Sequence, residues 1–81
     1  MANYIALCDM RQGEQAEVRQ LCLTGGIRRR LQDLGLIEGT TVVCCKRAPG
    51  GSPIAYWFRG TVIALRKSDA SQIQVEPEGR Q

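Results

Sequence analysis

The fold is decided within residues 27–39, whose sequence is Ile27-Arg28-Arg29-Arg30-Leu31-Gln32-Asp33-Leu34-Gly35-Leu36-Ile37-Glu38-Gly39. Ile27, Leu31 and Leu34 recur at helical spacing, so they fall on one face of a short amphipathic helix and predict that this face packs on a core. Gly35 stands where a left-handed residue ends a helix, and Leu36 then folds back onto Leu31. None of these residues is catalytic, so the stretch predicts a helix docked on the rest of the chain.

Five further segments have the composition and alternation of β-strands. They are residues 14–22, 40–48, 54–59, 61–65 and 72–75, with a turn at residues 49–53. The first segment alternates Ala16, Val18, Gln20 and Cys22 with Glu17, Arg19 and Leu21, which predicts two opposite faces. Thr24 precedes the helix and is available as its N-cap.

Five short strands with one helix inserted after the first are typical of a small, strongly bent β-barrel, since closure removes the exposed edges of so small a sheet. The predicted class is therefore mainly β, with an SH3-like barrel as the best match and an OB-fold as the near competitor. A chain of 81 residues is one domain. We predict that residues 1–76 form this domain and that residues 77–81 form a flexible tail.

The third predicted strand carries three consecutive aromatic residues. Its alternation places Ile54, Tyr56 and Phe58 on one face and Ala55, Trp57 and Arg59 on the other. We predict that Tyr56 and Phe58 lie in the core. Trp57 shares its face with the small residue Ala55 and the charged residue Arg59, which indicates partial exposure of its side chain. Trp57 is therefore a candidate contact residue.

The composition excludes several classes of protein. Apolar residues make up 43% of the chain and charged residues 23%, as in soluble globular proteins. The N-terminal residues lack the basic and apolar regions of a signal peptide. The longest uncharged run, residues 48–58, contains two prolines and two glycines, so no membrane span is predicted. We therefore expect a cytoplasmic protein.

Neither catalysis nor metal binding is predicted. The chain has no histidine and no P-loop lysine, and its four cysteines, Cys8, Cys22, Cys44 and Cys45, lack the C-x-x-C spacing. We interpret the cysteines as small buried hydrophobic residues in a reducing compartment, with disulfide pairing or capture of a soft metal as the alternative. No catalytic residue, metal ligand or cofactor is assigned.

Positive charge is concentrated in the middle of the chain. The net charge is +3, but residues 28–67 contain eight arginines and lysines and two acidic residues, a local charge of +6. Such a surface is either solvated or suits nucleic acid, anionic lipid or an acidic protein surface. The candidate partner-binding residues lie on the exposed helix face and on a basic, aromatic strand face: Arg28, Arg29, Gln32, Lys46, Trp57 and Arg59. A binder of single-stranded nucleic acid is the alternative, with Tyr56 or Trp57 as the stacking residue.

The order and spacing of several weak motifs, taken together, resemble the FeoA family over about residues 5–76. These motifs are Gly13 with Ala16 and Val18, Arg30-Leu31 with Leu34-Gly35-Leu36 and Gly39, Arg47-Ala48-Pro49 with Gly51 and Pro53, Arg59-Gly60, Ile63-Ala64-Leu65-Arg66, Ala70, and Ile73 with Val75. The chain departs from the family at Tyr56-Trp57-Phe58, where mostly aliphatic and polar residues are expected.

The resemblance implies a small cytosolic SH3-like protein that accompanies FeoB, a membrane transporter of ferrous iron with a cytosolic GTPase domain. It implies a non-enzymatic accessory role, with Fe(II) linked to the chain only through the transport system. The same domain occurs fused to some iron- and manganese-responsive repressors, so a metal-responsive regulatory module is a second alternative. The length of this chain favours the stand-alone form, and nucleic acid is the less favoured partner.

Overall fold

The computed structural model describes residues 3–79. Within these residues the chain forms six strands and two helices. Their order is β1 (Ile5–Ala6), β2 (Gln15–Leu21), α1 (Gly25–Asp33), β3 (Thr41–Arg47), β4 (Ile54–Phe58), β5 (Thr61–Leu65), α2 (Lys67–Ala70) and β6 (Ile73–Pro77). Single 3-10 turns at Leu7–Asp9 and Pro49–Gly51 connect them.

The strands form one antiparallel sheet in the order β1-β6-β2-β3-β4-β5. The predicted mainly β architecture with one helix after the first long strand is confirmed. The sheet has a strand more than predicted, because the two-residue β1 pairs with β6. A closed barrel would have no edge strand. In the described part of the chain, however, β1 and β5 are edge strands, and the outer side of β5 pairs with no other strand.

The end of α1 is the Schellman motif that the sequence predicts. Gly35 adopts a φ of 103°, and its N–H donates to the carbonyl oxygen of Gln32 at 3.0 Å. The N–H of Leu36 donates to the carbonyl oxygen of Leu31 at 2.9 Å, and both leucines are 1% exposed. Leu31 lies three positions before the C-cap residue Leu34, and Leu36 lies two positions after it. Their side chains thus meet in the core, as this motif requires.

The predicted burial of the helix stripe is wrong for Leu34. Its side chain is 38% exposed, and Ile27 is only partly buried. Leu34 is the C-cap residue of α1, and it lines a cavity beside β5 rather than lying in the core. Thr24 is the N-cap residue, but its side chain makes no capping hydrogen bond.

A β-bulge in β2 corrects the predicted faces of that strand. Val18 pairs with Val75 and Gln20 pairs with Gln74, so one extra residue is inserted in β2 between them. An extra residue reverses the alternation that follows it. Leu21 is therefore buried and Gln20 exposed, opposite to the prediction.

The core is built from the inward faces of all the longer strands. Tyr56 and Phe58 are fully buried, as predicted. The hydroxyl of Tyr56 donates to the carbonyl oxygen of Leu7 at 3.1 Å, and burial raises the pKa of this phenol. Cys8 and Cys44 are buried, but Cys22 is exposed and Cys45 only partly buried, so the predicted burial of all the cysteines is wrong for these two.

Ordered structure extends slightly beyond the predicted domain boundary at residue 76. β6 ends at Pro77, which is buried. The N–H of Glu78 donates to the carbonyl oxygen of Gln15 at 2.9 Å. Residues 80 and 81 of the predicted tail lie outside the described residues.

Candidate functional site

The outer face of the β3–β5 hairpins carries a row of exposed apolar side chains. Trp57 on β4 is paired directly with Val43 on β3 and with Val62 on β5. Because Tyr56 and Phe58 point inward, the alternation of β4 turns Trp57 outward. Trp57 is 41% exposed and Val62 is 59% exposed. The three side chains form a solvent-facing apolar row across three strands.

Lys46 lies on the same sheet face, one row further along. It is the cross-strand partner of Ala55, and Ala55 is in turn the partner of Ala64. A shallow depression of about 260 Å³ is lined there by Lys46, Ala48, Pro49, Pro53, Ala55 and Ala64. The cation therefore borders the apolar face rather than interrupting it.

A groove between α1 and β5 continues the apolar surface. Its cavity measures about 270 Å³ and is lined by Ile27, Arg30, Leu31 and Leu34 from the helix side and by Val62, Ile63, Ala64 and Leu65 from the strand. We call this the α1–β5 groove. Val62 belongs both to the groove and to the exposed row with Trp57, so the two features form one surface.

Arg59 does not lie on the strand face where the sequence placed it. β4 ends at Phe58 and β5 begins at Thr61, so Arg59 and Gly60 form a two-residue hairpin turn. Their φ angles of 50° and 76° are both positive, as a type I′ turn requires. Arg59 leaves the row of Trp57, and its side chain lies over Gly35 at the end of α1.

The predicted helix residues face the opposite flank of α1. Arg28 and Gln32 line a separate depression with Arg19, Gln20, Leu21 and Glu38, on the β2 side. Arg29 is exposed and lines none of the described cavities beside α1. The structure thus places Trp57 and Lys46 on one surface and Arg28 and Gln32 on another, instead of bringing the six candidates together.

None of the eight residues that line the groove was predicted as a site residue, Arg30, Leu34 and Val62 among them. A local signal for Arg30 exists, because it is three residues after Ile27 and four before Leu34, and such positions are neighbours on a helix. Val62 could have been found as the outward neighbour of Trp57, but only once the register of the β4–β5 hairpin is known.

Part of the positive charge is used within the fold. The Arg47 guanidinium donates to the backbone carbonyl oxygens of Cys8 and Met10. Arg19 forms ion pairs with Glu17 and with Glu76. Its hydrogen bonds to these carboxylates, that to Glu76 before that to Glu17 in importance, raise the pKa of the guanidinium. Neither arginine is free to bind an external anion without giving up these contacts. With Tyr56 buried, Trp57 is left as the exposed aromatic side chain of β4.

The described residues contain no group of three or more histidine, cysteine, aspartate or glutamate side chains that could hold a metal ion. Burial raises the pKa of the Cys8 and Cys44 thiols, which disfavours the reactive thiolate. None of the described helices combines the length and apolar character needed to cross a bilayer. The surface described above can make contacts with a partner through its apolar row and its groove.

Comparison with known proteins gives the same family over nearly the whole chain. Residues 5–77 match the FeoA domain family. Over 70 residues the chain is 30% identical to the Fe(2+) transport protein A/Fe(2+) transporter FeoB fusion protein of Porphyromonas gingivalis, an alignment that covers 86% of this chain and 8% of that protein. The chain therefore spans only a small part of this curated relative.

Two solved structures show the likeness in three dimensions. The solution structure of FeoA from Chlorobium tepidum is 31% identical, with a TM-score of 0.89 over 95% of this chain and 73% of that one. Stenotrophomonas maltophilia FeoA, solved with zinc and described as a prokaryotic SH3 domain protein, is 31% identical, with a TM-score of 0.75 over 86% and 87% of the two chains. The predicted SH3-like fold is confirmed, and the chain belongs to the FeoA family.

Proposed function

We propose that this protein is a non-enzymatic accessory protein of ferrous iron transport that docks on the cytosolic part of a FeoB-type transporter. One observation carries the proposal: in the P. gingivalis relative, a segment similar to this chain is joined to FeoB in a single polypeptide. Covalent linkage holds two modules at high effective concentration, so such fusions are favoured where the modules work in contact.

The surface around Trp57 supports docking. Trp57, Val62 and Leu34 are exposed apolar side chains on this surface, and contiguous exposed apolar patches mark interaction sites. Large aromatic residues on such surfaces are the usual anchors of protein interfaces, and cations at the border steer the encounter. Lys46 is exposed and borders the apolar row, and exposed Arg29 on α1 adds to the positive charge of the molecule.

Ferrous iron is the cargo of the transporter in this proposal and not a ligand of the accessory protein. The accessory protein acts through contact, by changing assembly or gating of the transporter. The transporter's cytosolic GTPase domain is the preferred surface. A single-stranded nucleic acid is the competing partner, since Trp57 with Lys46 nearby would also suit base stacking.

The test is a titration against the isolated cytosolic domain of the FeoB-type transporter from the same organism, in the presence and absence of a labelled single-stranded RNA. We expect saturable binding to the domain that RNA does not displace. Trp57→Ala should weaken it, whereas Tyr4→Ala, a matched change at a residue that is 53% exposed, should not. Micromolar RNA binding at physiological salt with no binding to the transporter domain would overturn the proposal.

A further inference from the structure

β5 is an edge strand without the usual protections. Its sheet neighbour is β4, and its other side is open among the described residues. Thr61–Leu65 contains no charged residue and no proline, and its pairing with β4 has no bulge. Natural edge strands are normally short, charged, kinked or interrupted by proline, because an apolar edge pairs with other chains. The other edge, β1, is protected by being two residues long.

The register of the β4–β5 hairpin determines which backbone groups point to the open side. The two-residue turn makes Phe58 and Thr61 a hydrogen-bonded pair, and the pairs alternate from there. Ile63 is therefore bonded to β4, whereas Val62 and Ala64 direct their N–H and C=O groups away from it. No backbone hydrogen bond from another element reaches these two residues within the described part of the chain.

The residues that carry these open backbone groups line the α1–β5 groove. Val62 and Ala64 form one wall of its 270 Å³ cavity, opposite apolar side chains of α1. Arg30 is the charged residue of the lining, and it forms no ion pair with the described residues. The groove therefore combines unpaired strand hydrogen-bonding groups, apolar walls and one cation that lacks a carboxylate.

We infer that β5 accepts an extended segment of a protein partner as an additional strand, with alternate apolar side chains in the α1–β5 groove and a carboxylate beside Arg30. In such strand addition the main-chain hydrogen bonds supply affinity, and the side-chain pockets supply selectivity. Strand addition at β5 goes beyond transporter docking, since any protein with a suitable segment could supply the strand.

Charge favours an acidic segment over a second copy of this chain. Arg30 is the charged residue that lines the groove, and the whole chain carries a net charge of +3. Two copies paired through their β5 edges would bring an Arg30 side chain from each copy to the same interface, and like charges across an interface oppose association. An apolar segment that carries glutamate or aspartate meets the opposite charge at the same place.

The probe is an acetylated and amidated hexapeptide of alternating valine and glutamate, titrated into the full chain and followed by amide hydrogen exchange. We expect Val62 and Ala64 amides to exchange slowly only with peptide bound, whereas the Ile63 amide is already protected. N-methylation of the peptide at alternate residues removes its hydrogen-bond donors and should abolish binding to the unchanged protein. A valine–lysine peptide should bind at least about tenfold more weakly.

Two protein variants complete the test. Ala64→Pro removes an N–H that faces the open side, so it should lower the affinity for the peptide at least about tenfold. The backbone hydrogen bonds between β5 and β4 should remain, because this N–H does not take part in them. Arg30→Glu should reverse the preference between the glutamate and lysine peptides, and Arg29→Glu is its control on the same helix. Absence of binding up to millimolar peptide, binding without protection of Val62 and Ala64, or equal binding of the N-methylated peptide would each overturn strand addition. If the Val62 and Ala64 amides became protected as the protein concentration was raised, in the absence of peptide, β5 would pair with a second copy of the chain. That result would also overturn the proposal.

Discussion

The side chain of Arg59 lies directly over the α-carbon of Gly35. A Cβ atom built on Gly35 would stand 2.5 Å from Arg59 Cδ, closer than nonbonded carbons approach. Arg59 comes from the β4–β5 turn and Gly35 from the C-terminal end of α1, so this contact joins the hairpin to the helix at one end of the α1–β5 groove. A cation near helix carbonyls is also electrostatically favourable.

Gly35→Ala should destabilise the fold for two separable reasons. A non-glycine residue at a φ of 103° is strained, which costs about 1–3 kcal/mol, and the new methyl group meets Arg59. The double variant Gly35→Ala/Arg59→Ala removes the clash and keeps the strain. Urea unfolding of both variants and of Arg59→Ala alone measures the two contributions. If Gly35→Ala were as stable as the parent, the contact would be unimportant.

Leu31→Ala should cost about 2–5 kcal/mol of unfolding free energy, because it empties a fully buried site that also holds the Schellman end of α1. That is a large share of the stability of a small domain. Leu34→Ala on the same helix is the matched control, since Leu34 is 38% exposed and should cost much less. Equal melting temperatures for the two variants would contradict the packing of α1 described above.

Stability should fall in alkaline solution partly through Tyr56. Burial raises the pKa of Tyr56 above its ordinary value of 10.0. Above pH 10 the unfolded chain therefore loses this proton while the folded chain keeps it, so the unfolded state binds fewer protons and stability decreases as pH rises.

Urea unfolding between pH 8 and pH 11.5 checks this assignment. Tyr56→Phe should flatten the decrease above pH 10, although it loses the hydrogen bond to Leu7, worth about 1 kcal/mol. The buried Cys8 and Cys44 thiols contribute to the remaining slope in the same direction. Tyr4→Phe is the control at an exposed tyrosine, and an unchanged slope in Tyr56→Phe would show that another group is responsible.

Truncations of Trp57 and Arg29 should act on different steps of partner binding. Trp57→Ala removes an anchor, so it should raise the dissociation rate by an amount worth about 2 kcal/mol or more. Arg29→Ala removes an exposed charge on α1 and should mainly slow association and reduce its salt dependence. Surface plasmon resonance at two salt concentrations separates the effects. If both variants changed only the association rate, Trp57 would not be an anchor.

Chelators should leave the folded protein unchanged. The chain has no histidine, and its described residues contain no cluster of metal-binding side chains. Structural metal sites contribute folding free energy directly, so their loss is visible as unfolding. Near-ultraviolet circular dichroism and thermal unfolding with and without EDTA make the comparison. A cooperative loss of signal on adding EDTA would reveal a metal site.

Much of this fold is determined by short-range features of the sequence. The helix end at Leu31, Gly35 and Leu36 is predictable because the Schellman motif involves residues within one helical turn. The inward and outward sides of β4 follow from strict alternation, which is why Tyr56 and Phe58 could be assigned to the core. These signals act over a few residues and do not need the rest of the chain.

Tertiary structure alone decided the rest. The bulge after Val18 depends on how β2 pairs with β6, more than fifty residues away in the chain, so simple alternation misplaced Leu21. The α1–β5 groove exists because Arg30 and Leu34 face Val62 and Ala64 across a gap that neither segment specifies by itself. Local propensity fixes the shape of each segment, whereas burial of the common core sets their relative positions, and those positions determine which side chains remain exposed to a partner.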